Sequence, residues 1–221
     1  MQLEPHTATQ TLGPLFFGLR EDELRVVAAQ SVKRSYPKNT VVIREGEFTG
    51  SLYVILSGKV KVYLGDQHGK ELILDIKGPG EYFGEMALDD GPRSASVVTQ
   101  EASRFAIISK DHFKHLLLEH PDVSLHLIKD LVHIVRELNK NVRSLAMLNV
   151  CGRVSKLLLD SAVKHDGKLV IEEKLTQQTM ANRVGASREM ISRIFRKLSG
   201  DGYIKVEGKK ITINKPLPPR W

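Results

Sequence analysis

The stretch LTQQTMANRVGASREMISRIFRKL, from Leu175 to Leu198, decides how this chain is read. Thr176 carries the hydroxyl of a helix N-cap, and Met180, Ala181 and Val184 then fall on one side of a first helix. Gly185 gives the backbone freedom for a tight turn, where a left-handed conformation is costly for residues with a Cβ. Ser187 caps a second helix whose apolar face is Met190, Ile191, Ile194, Phe195 and Leu198. Arg188, Glu189, Ser192, Arg193, Arg196 and Lys197 occupy its other surface. That layout is a helix-turn-helix, and its outer face has the chemistry of a major-groove helix. Arginine forks onto guanine O6 and N7, and a carboxylate accepts from cytosine N4. Beyond it, Tyr203–Val206 and Lys209–Ile213 flank Glu207-Gly208 and read as a β-hairpin, a wing whose lysine-bearing tip suits a phosphate backbone.

Charge agrees with this reading. Residues 151–221 hold 15 Lys+Arg against 7 Asp+Glu, an excess of +8, while the whole chain carries +7. The basic excess therefore sits entirely in the last third, as for a polyanion-binding module on a near-neutral body. At 221 residues the chain accommodates one large or two ordinary domains, and 41% hydrophobic with 27% charged residues are globular values. No apolar run is long enough to span a bilayer, and the first twenty residues lack the pattern of a secretory signal. The single cysteine, Cys151, excludes an intramolecular disulfide and a cysteine-based metal cluster within one chain, so a cytoplasmic setting is expected. At the junction of two domains, Cys151 is expected to be buried.

Upstream the pattern changes. A short helix is expected from Asp22 to about Gln30. From Tyr36 to about Ser109 come short β-rich runs: Thr40–Ile43, Leu52–Leu56, Val60–Leu64, Glu71–Ile76 and Ser94–Thr99. Turn signals such as Ser57-Gly58, Gly78-Pro79-Gly80 and Gly91-Pro92 separate them, the mark of an all-β sandwich or roll. Asp111–Glu119 reads as a helix, and Pro121 opens a longer one to about Val150. On it Ile128, Leu131, Val135, Leu138, Val142 and Leu145 alternate in steps of three and four, a seam for pairing with a second copy in a symmetric homodimer. A further helix is expected from Arg153 to about Ala162, and a strand over Leu169–Glu173.

Within the β region lies Gly84-Glu85-Met-Ala-Leu-Asp-Asp-Gly-Pro-Arg93-Ser94-Ala95. Gly84 permits close backbone approach, and Glu85 opens a short helical turn. Arg93 and Ser94 return to the same place from the next segment. A planar guanidinium suits a phosphate, and a carboxylate accepts from a ribose hydroxyl. His112, His115 and Glu119 share a helical face, but two histidines do not close a metal site, and no metal is expected. Neither metal ligands nor an activated nucleophile accompanies Glu85 and Arg93, so the chain is not expected to be an enzyme.

This order, with G-E-x-A-L…R-S-A and G-A-S-R-E-x-x-x-R as its most specific parts, resembles the family of the cyclic AMP receptor protein and FNR from about Tyr36 to Ile213. The resemblance implies an α+β fold. A jelly-roll-like antiparallel β-roll that binds a cyclic nucleotide would occupy residues 1–120, a dimerisation helix 121–150, and a winged helix-turn-helix 151–221. It implies that Glu85 holds a ribose hydroxyl, and that Arg93, Ser94 and backbone near Gly84 hold the cyclic phosphate. Arg188, Glu189 and Arg193 would read a TGTGA-like half-site in an inverted repeat, with Thr176, Gln178, Ser187 and Lys209 on phosphates. Where the receptor protein sets Thr-Ser against the adenine, this chain has Leu138-Asn139. The implied effector is cyclic AMP first, with cyclic GMP or cyclic di-GMP as alternatives. The implied partners are duplex DNA, a second copy and RNA polymerase, although the loop Lys164–Lys168 is shorter than the surface the receptor protein uses on the polymerase. The four-cysteine cluster of FNR-type oxygen sensors is absent. A module regulating a partner protein, or a ligand-independent regulator, is the alternative reading.

Overall fold

The computed structural model describes residues 13–16, 18–165, 167–172 and 175–218. They form two compact units: the chain up to Gly65 with Ile73–Val135, and Asp66–Leu72 with the chain from Arg136 onward.

The first unit holds helix α1 (Glu21–Gln30), strands β1 (Val32–Tyr36), β2 (Val41–Ile43), β3 (Ser51–Ser57) and β4 (Val60–Gly65), most of β5 (Glu71–Lys77), β6 (Tyr82–Phe83), β7 (Ser96–Thr99), β8 (Ser103–Ser109), helix α2 (Lys110–Glu119) and the first half of α3 (Pro121–Met147). The strands make two four-stranded sheets, ordered β1-β8-β3-β6 and β2-β7-β4-β5. Side-chain alternation along β3 and β8 explains the layering. Tyr53 and Ile55, with Phe105 and Ile107, turn toward the second sheet. There they meet Ile43, Val60 and Val97, with Phe83 from β6, in one core. Leu52, Val54, Ala106 and Ile108 turn the other way, onto Leu24, Val27, Phe113, Leu116, Val123 and Leu127 of the three helices. Both faces of this sheet are thus buried, so β3 reads as a continuous apolar run.

The second unit packs α4 (Val150–Asp160), α5 (Gln177–Val184) and α6 (Arg188–Gly200) on a sheet ordered β11-β12-β10-β9, comprising β9 (Val163–His165), β10 (Lys168–Ile171), β11 (Ile204–Glu207) and β12 (Lys210–Ile213). The α6 face foreseen from the sequence is in this core: Ile191, Ile194, Phe195 and Leu198 are buried, with Met190 packed beside them. Cys151 is buried as expected, and burial raises its thiol pKa.

Four strands, β1, β6, β8 and β9, were not among the expected runs. The run expected at Ser94–Thr99 forms only from Ser96, and that expected at Leu169–Glu173 is Lys168–Ile171, with Glu173 outside the described residues. The long helix stops at Met147, because the Asn149 side chain accepts from the Gly152 amide (2.9 Å) and caps α4, which begins at Val150 rather than Arg153. Arg153 then ties the ends of two helices together, donating through Nε to Val184 O (2.8 Å) and through Nη1 to Leu148 O (2.9 Å).

The expected seam needs one correction. Leu131 packs on the core of its own unit, one turn beyond the buried pair Val123 and Leu127. Exposure falls instead on Leu125, Ile128, Val132, Val135, Leu138, Val142 and Leu145, with Val132 at 47% and Val135 at 54%. Two apolar stripes run side by side on α3, and spacing alone merged them.

Candidate functional site

The segment between β6 and β7 is built around an arginine. Gly84 has φ 87° and ψ 18°, a left-handed conformation. A Cβ there would lie 2.8 Å from Ser51 O and 3.2 Å from Arg93 Nη1, so the position requires glycine on two counts. Gly84 O accepts from the Ala87 amide (3.0 Å), opening the 3-10 turn Glu85–Leu88.

Arg93 is only 4% exposed. Its backbone is clamped to the β2–β3 loop, the N–H donating to Glu47 O (2.9 Å) and the carbonyl accepting from Gly46 N (2.8 Å). Its guanidinium donates through Nε to Thr49 Oγ1 (2.8 Å), through Nη1 to Gly84 O (2.7 Å) and through Nη2 to Ser51 O (2.7 Å). All three acceptors are neutral. Among the described residues no carboxylate lies within ion-pair distance of this cation. Burial lowers its pKa, opposed by the nearby Tyr53 and Glu85, but an arginine stays charged. The result is a buried, oriented positive charge with two N–H groups still available.

Around it, Glu85 is half-buried, close enough to act on Arg93 electrostatically, and Ser94 is exposed. Tyr53 stacks on Phe83 with ring centroids 4.9 Å apart. Burial pushes the Tyr53 phenol pKa up, so it remains a proton donor. Asp90, farther along the segment, pairs with Lys110 at the start of α2, which holds its carboxyl below the usual range. Thr49, Ser51 and Tyr53 carry no motif in the sequence. Ser51 acts through a carbonyl that any residue has, and Thr49 lies 44 positions from the arginine it holds.

The structure thus brings together Gly84, Glu85 and Arg93. Leu138 and Asn139 are exposed on the part of α3 that belongs to the second unit.

In that unit the helix pair has the local chemistry its sequence requires. Thr176 caps α5, its hydroxyl accepting from Thr179 N (3.0 Å), and Ser187 caps α6, accepting from Met190 N (3.2 Å). Gly185 adopts φ 65° and ψ 46° and donates its N–H to Ala181 O, the left-handed helix stop. With the α6 core face fixed, Arg188, Glu189, Arg193, Arg196 and Lys197 are all exposed. Glu189's own amide, the Ser187 hydroxyl and then Arg188 and Arg193 hold its carboxyl below the usual range, so it is an ionised acceptor. Gln178 is exposed on α5 and donates to Asn182 (2.8 Å), and Lys209 is exposed at the β11–β12 turn. Among the described residues no group of three His, Cys, Asp or Glu is arranged to hold a metal ion, and no helix is long and apolar enough to cross a membrane. His115 pairs with Glu119 at 3.2 Å.

Comparison with known proteins follows the same division. Residues 33–120 match the cyclic nucleotide-binding domain family, and residues 152–216 match the Crp-like helix-turn-helix domain family. The chain is 33% identical over 205 residues to the CRP-like cAMP-activated global transcriptional regulator of Mycobacterium tuberculosis, covering 90% of this chain and 92% of that protein. It is 34% identical over 185 residues to the cAMP-activated global transcriptional regulator CRP of Pasteurella multocida, covering 80% and 88%. Among solved structures, the c-di-GMP responsive global regulator CLP of Xanthomonas campestris superposes with a TM-score of 0.77 at 27% identity, covering 89% of this chain and all of that one. With both domains matched and more than nine-tenths of a regulator's length aligned, the chain belongs to the CRP/FNR family of transcription regulators, proteins that join a cyclic nucleotide-binding domain to a DNA-binding helix-turn-helix and are not enzymes.

Proposed function

We propose that this regulator is switched by a cyclic nucleotide whose phosphate sits on Arg93, and that a homodimer then reads an inverted repeat of TGTGA-like half-sites. One observation carries the ligand half of this reading: a buried guanidinium held by three neutral acceptors, with no carboxylate among the described residues within ion-pair distance. Burying an unpaired charge is unfavourable by several kcal/mol as an order of magnitude, and an arriving anion removes most of that penalty. Ser94 and backbone near Gly84 complete the phosphate contacts, Glu85 takes a ribose hydroxyl, and Leu138 with Asn139 faces the base. Cyclic AMP is the favoured effector, supported by relatives at 33–34% identity described as cAMP-activated. Cyclic di-GMP is the second candidate, supported by the structural neighbour that responds to it, and cyclic GMP the third.

Titration calorimetry with each nucleotide, followed by DNA affinity with and without the one that binds, tests this. Tight binding of one nucleotide and a gain in DNA affinity is the expected result. Equal DNA affinities would reject the switch, because a ligand moves an equilibrium only by its differential affinity for the two states.

The exposed stripe Leu125, Ile128, Val132, Val135, Leu138, Val142 and Leu145 is the proposed dimer seam. A dimer sets two α6 helices about 34 Å apart, the spacing of successive major grooves. Val135→Glu places like charges on this seam, and sedimentation at several concentrations is expected to find monomers. On DNA, Arg188, Glu189 and Arg193 read bases, with Thr176, Gln178, Ser187 and Lys209 on phosphates. Arg188→Ala is expected to lower affinity for the preferred duplex by about tenfold and to relax selection at one base pair. A loss shared equally by all duplexes would assign Arg188 to a phosphate instead. Contact with RNA polymerase is the proposed route to activation.

A further inference from the structure

Strand β6 has two residues, and they face opposite cores. Phe83 enters the layer between the sheets, while Tyr82 enters the layer between sheet and helices. The Tyr82 ring is 8% exposed, yet its hydroxyl reaches past the core and donates to Asp130 Oδ2 on α3 at 3.0 Å. Lys77 Nζ stands 6.0 Å from the centroid of the same ring and pairs with Asp75 at 3.2 Å. Burial first, and then the Asp130 charge, push the phenol pKa well above its ordinary value, so the hydroxyl keeps its proton. The chain runs from Tyr82 directly through Phe83 to Gly84, whose carbonyl accepts from Arg93. Asp130 lies on α3 between Ile128 and Val132, both on the exposed stripe.

For packing alone, phenylalanine would fill the place of Tyr82. The contacts of Val123, Leu127 and Leu131 with the β unit are non-directional and tolerate small slides of the helix. A hydrogen bond between a buried phenol and a half-buried carboxylate is directional and strong, and it is either made or broken. Tyr82 and Asp130 therefore supply what an apolar contact does not, a fixed point at which α3 registers the position of β6.

We propose that the Tyr82–Asp130 hydrogen bond is a positioning latch through which occupation of the Arg93 cradle alters the packing of α3. The latch rests on the nucleotide control set out above. An anion drawn to the two open N–H groups of Arg93 pulls the guanidinium against its hold on Gly84 O. The strain passes two residues back to Tyr82, and the latch converts it into a displacement of the helix that carries the seam. Neither residue of the latch touches the nucleotide or DNA.

The test uses the full-length protein as Tyr82→Phe, Asp130→Ala, Asp130→Asn and the double variant Tyr82→Phe/Asp130→Ala. Nucleotide affinity is measured by calorimetry, and affinity for an inverted-repeat duplex with and without nucleotide, in separate arms for cyclic AMP, cyclic di-GMP and cyclic GMP. Tyr82→Phe and Asp130→Ala are expected to leave nucleotide affinity within about threefold of the parent. The nucleotide-driven gain in DNA affinity is expected to fall by about tenfold. Asp130→Asn, whose amide oxygen still accepts, keeps most of the gain. The double variant is no worse than either single one, since both remove the same bond. A full gain in Tyr82→Phe overturns the latch and leaves nucleotide control standing. So does a loss of thermal stability and nucleotide affinity with the gain unchanged, which is the signature of a purely structural pair. A parent protein whose DNA affinity ignores all three nucleotides overturns the latch together with nucleotide control.

Discussion

Arg93→Ala is expected to abolish nucleotide binding, by at least about a hundredfold, while moving the unfolding midpoint little. Two effects decide the second half of that statement, and they oppose each other. The substitution removes three hydrogen bonds from a cation to neutral acceptors, each worth about 1.5–3 kcal/mol. It also removes a buried charge that no carboxylate among the described residues pairs with directly, and relief of that desolvation is of the same order. The binding effect has no such compensation, because a planar guanidinium contributes charge-assisted bonds and orientation that nothing nearby replaces. Calorimetry and urea unfolding on the same preparation read both quantities. Arg93→Lys retains the charge but cannot span Thr49, Ser51 and Gly84 together, so it is expected to bind weakly and not at all like the parent. Undiminished binding heat in Arg93→Ala would remove this arginine from the site.

Phe105→Ala is expected to be the most destabilising single change in the β unit, at about 3–5 kcal/mol. Phe105 is fully buried, and its ring lies 5.3 Å from both Tyr36 and Phe83 and 6.3 Å from Tyr53, centroid to centroid. The three neighbouring rings belong to three different strands, so no single side chain can move inward to fill the space. Phe83 adjoins Gly84, and loosening it disturbs the acceptor that orients Arg93, so nucleotide affinity is expected to fall with stability. Phe105→Leu keeps more of the volume and is expected to lose about 1.5 kcal/mol. A denaturation curve for Phe105→Ala that overlays the parent would show that the two sheets close around this position with no help from its ring.

Much of this architecture is legible in the residues, and the reasons differ from place to place. The helix-turn-helix reads well because each of its parts has a local cause: Thr176 and Ser187 cap, Gly185 turns left-handed, and the α6 face recurs at helical spacing. Gly84 and Arg93 are legible because a glycine that permits close approach and an arginine suited to phosphate sit in a stretch, G-E-x-A-L…R-S-A, that resembles the family's pattern. Strand β6 is invisible because two residues have no period, and β1 because its face is polar and exposed along most of its length. Spacing alone places Leu131 on the exposed stripe of α3 in place of Val132, since neighbouring stripes on a helix share the same three-and-four spacing. The holders of Arg93 escape the sequence for a different reason. Thr49 and Ser51 meet it only after the chain has folded back across some forty residues, and one of the two acts through its main chain.

That last detail has a consequence for how effector choice can diverge. Of the three oxygens gripping the guanidinium, two belong to peptide bonds and survive any side-chain replacement that leaves the loop path intact. If Arg93 takes the phosphate as proposed, its orientation is inherited largely with the backbone, whereas whatever distinguishes one nucleobase from another must be read by side chains elsewhere. On that reading, such a scaffold would keep a constant socket for what all cyclic nucleotides share and leave the discriminating contacts free to change one codon at a time.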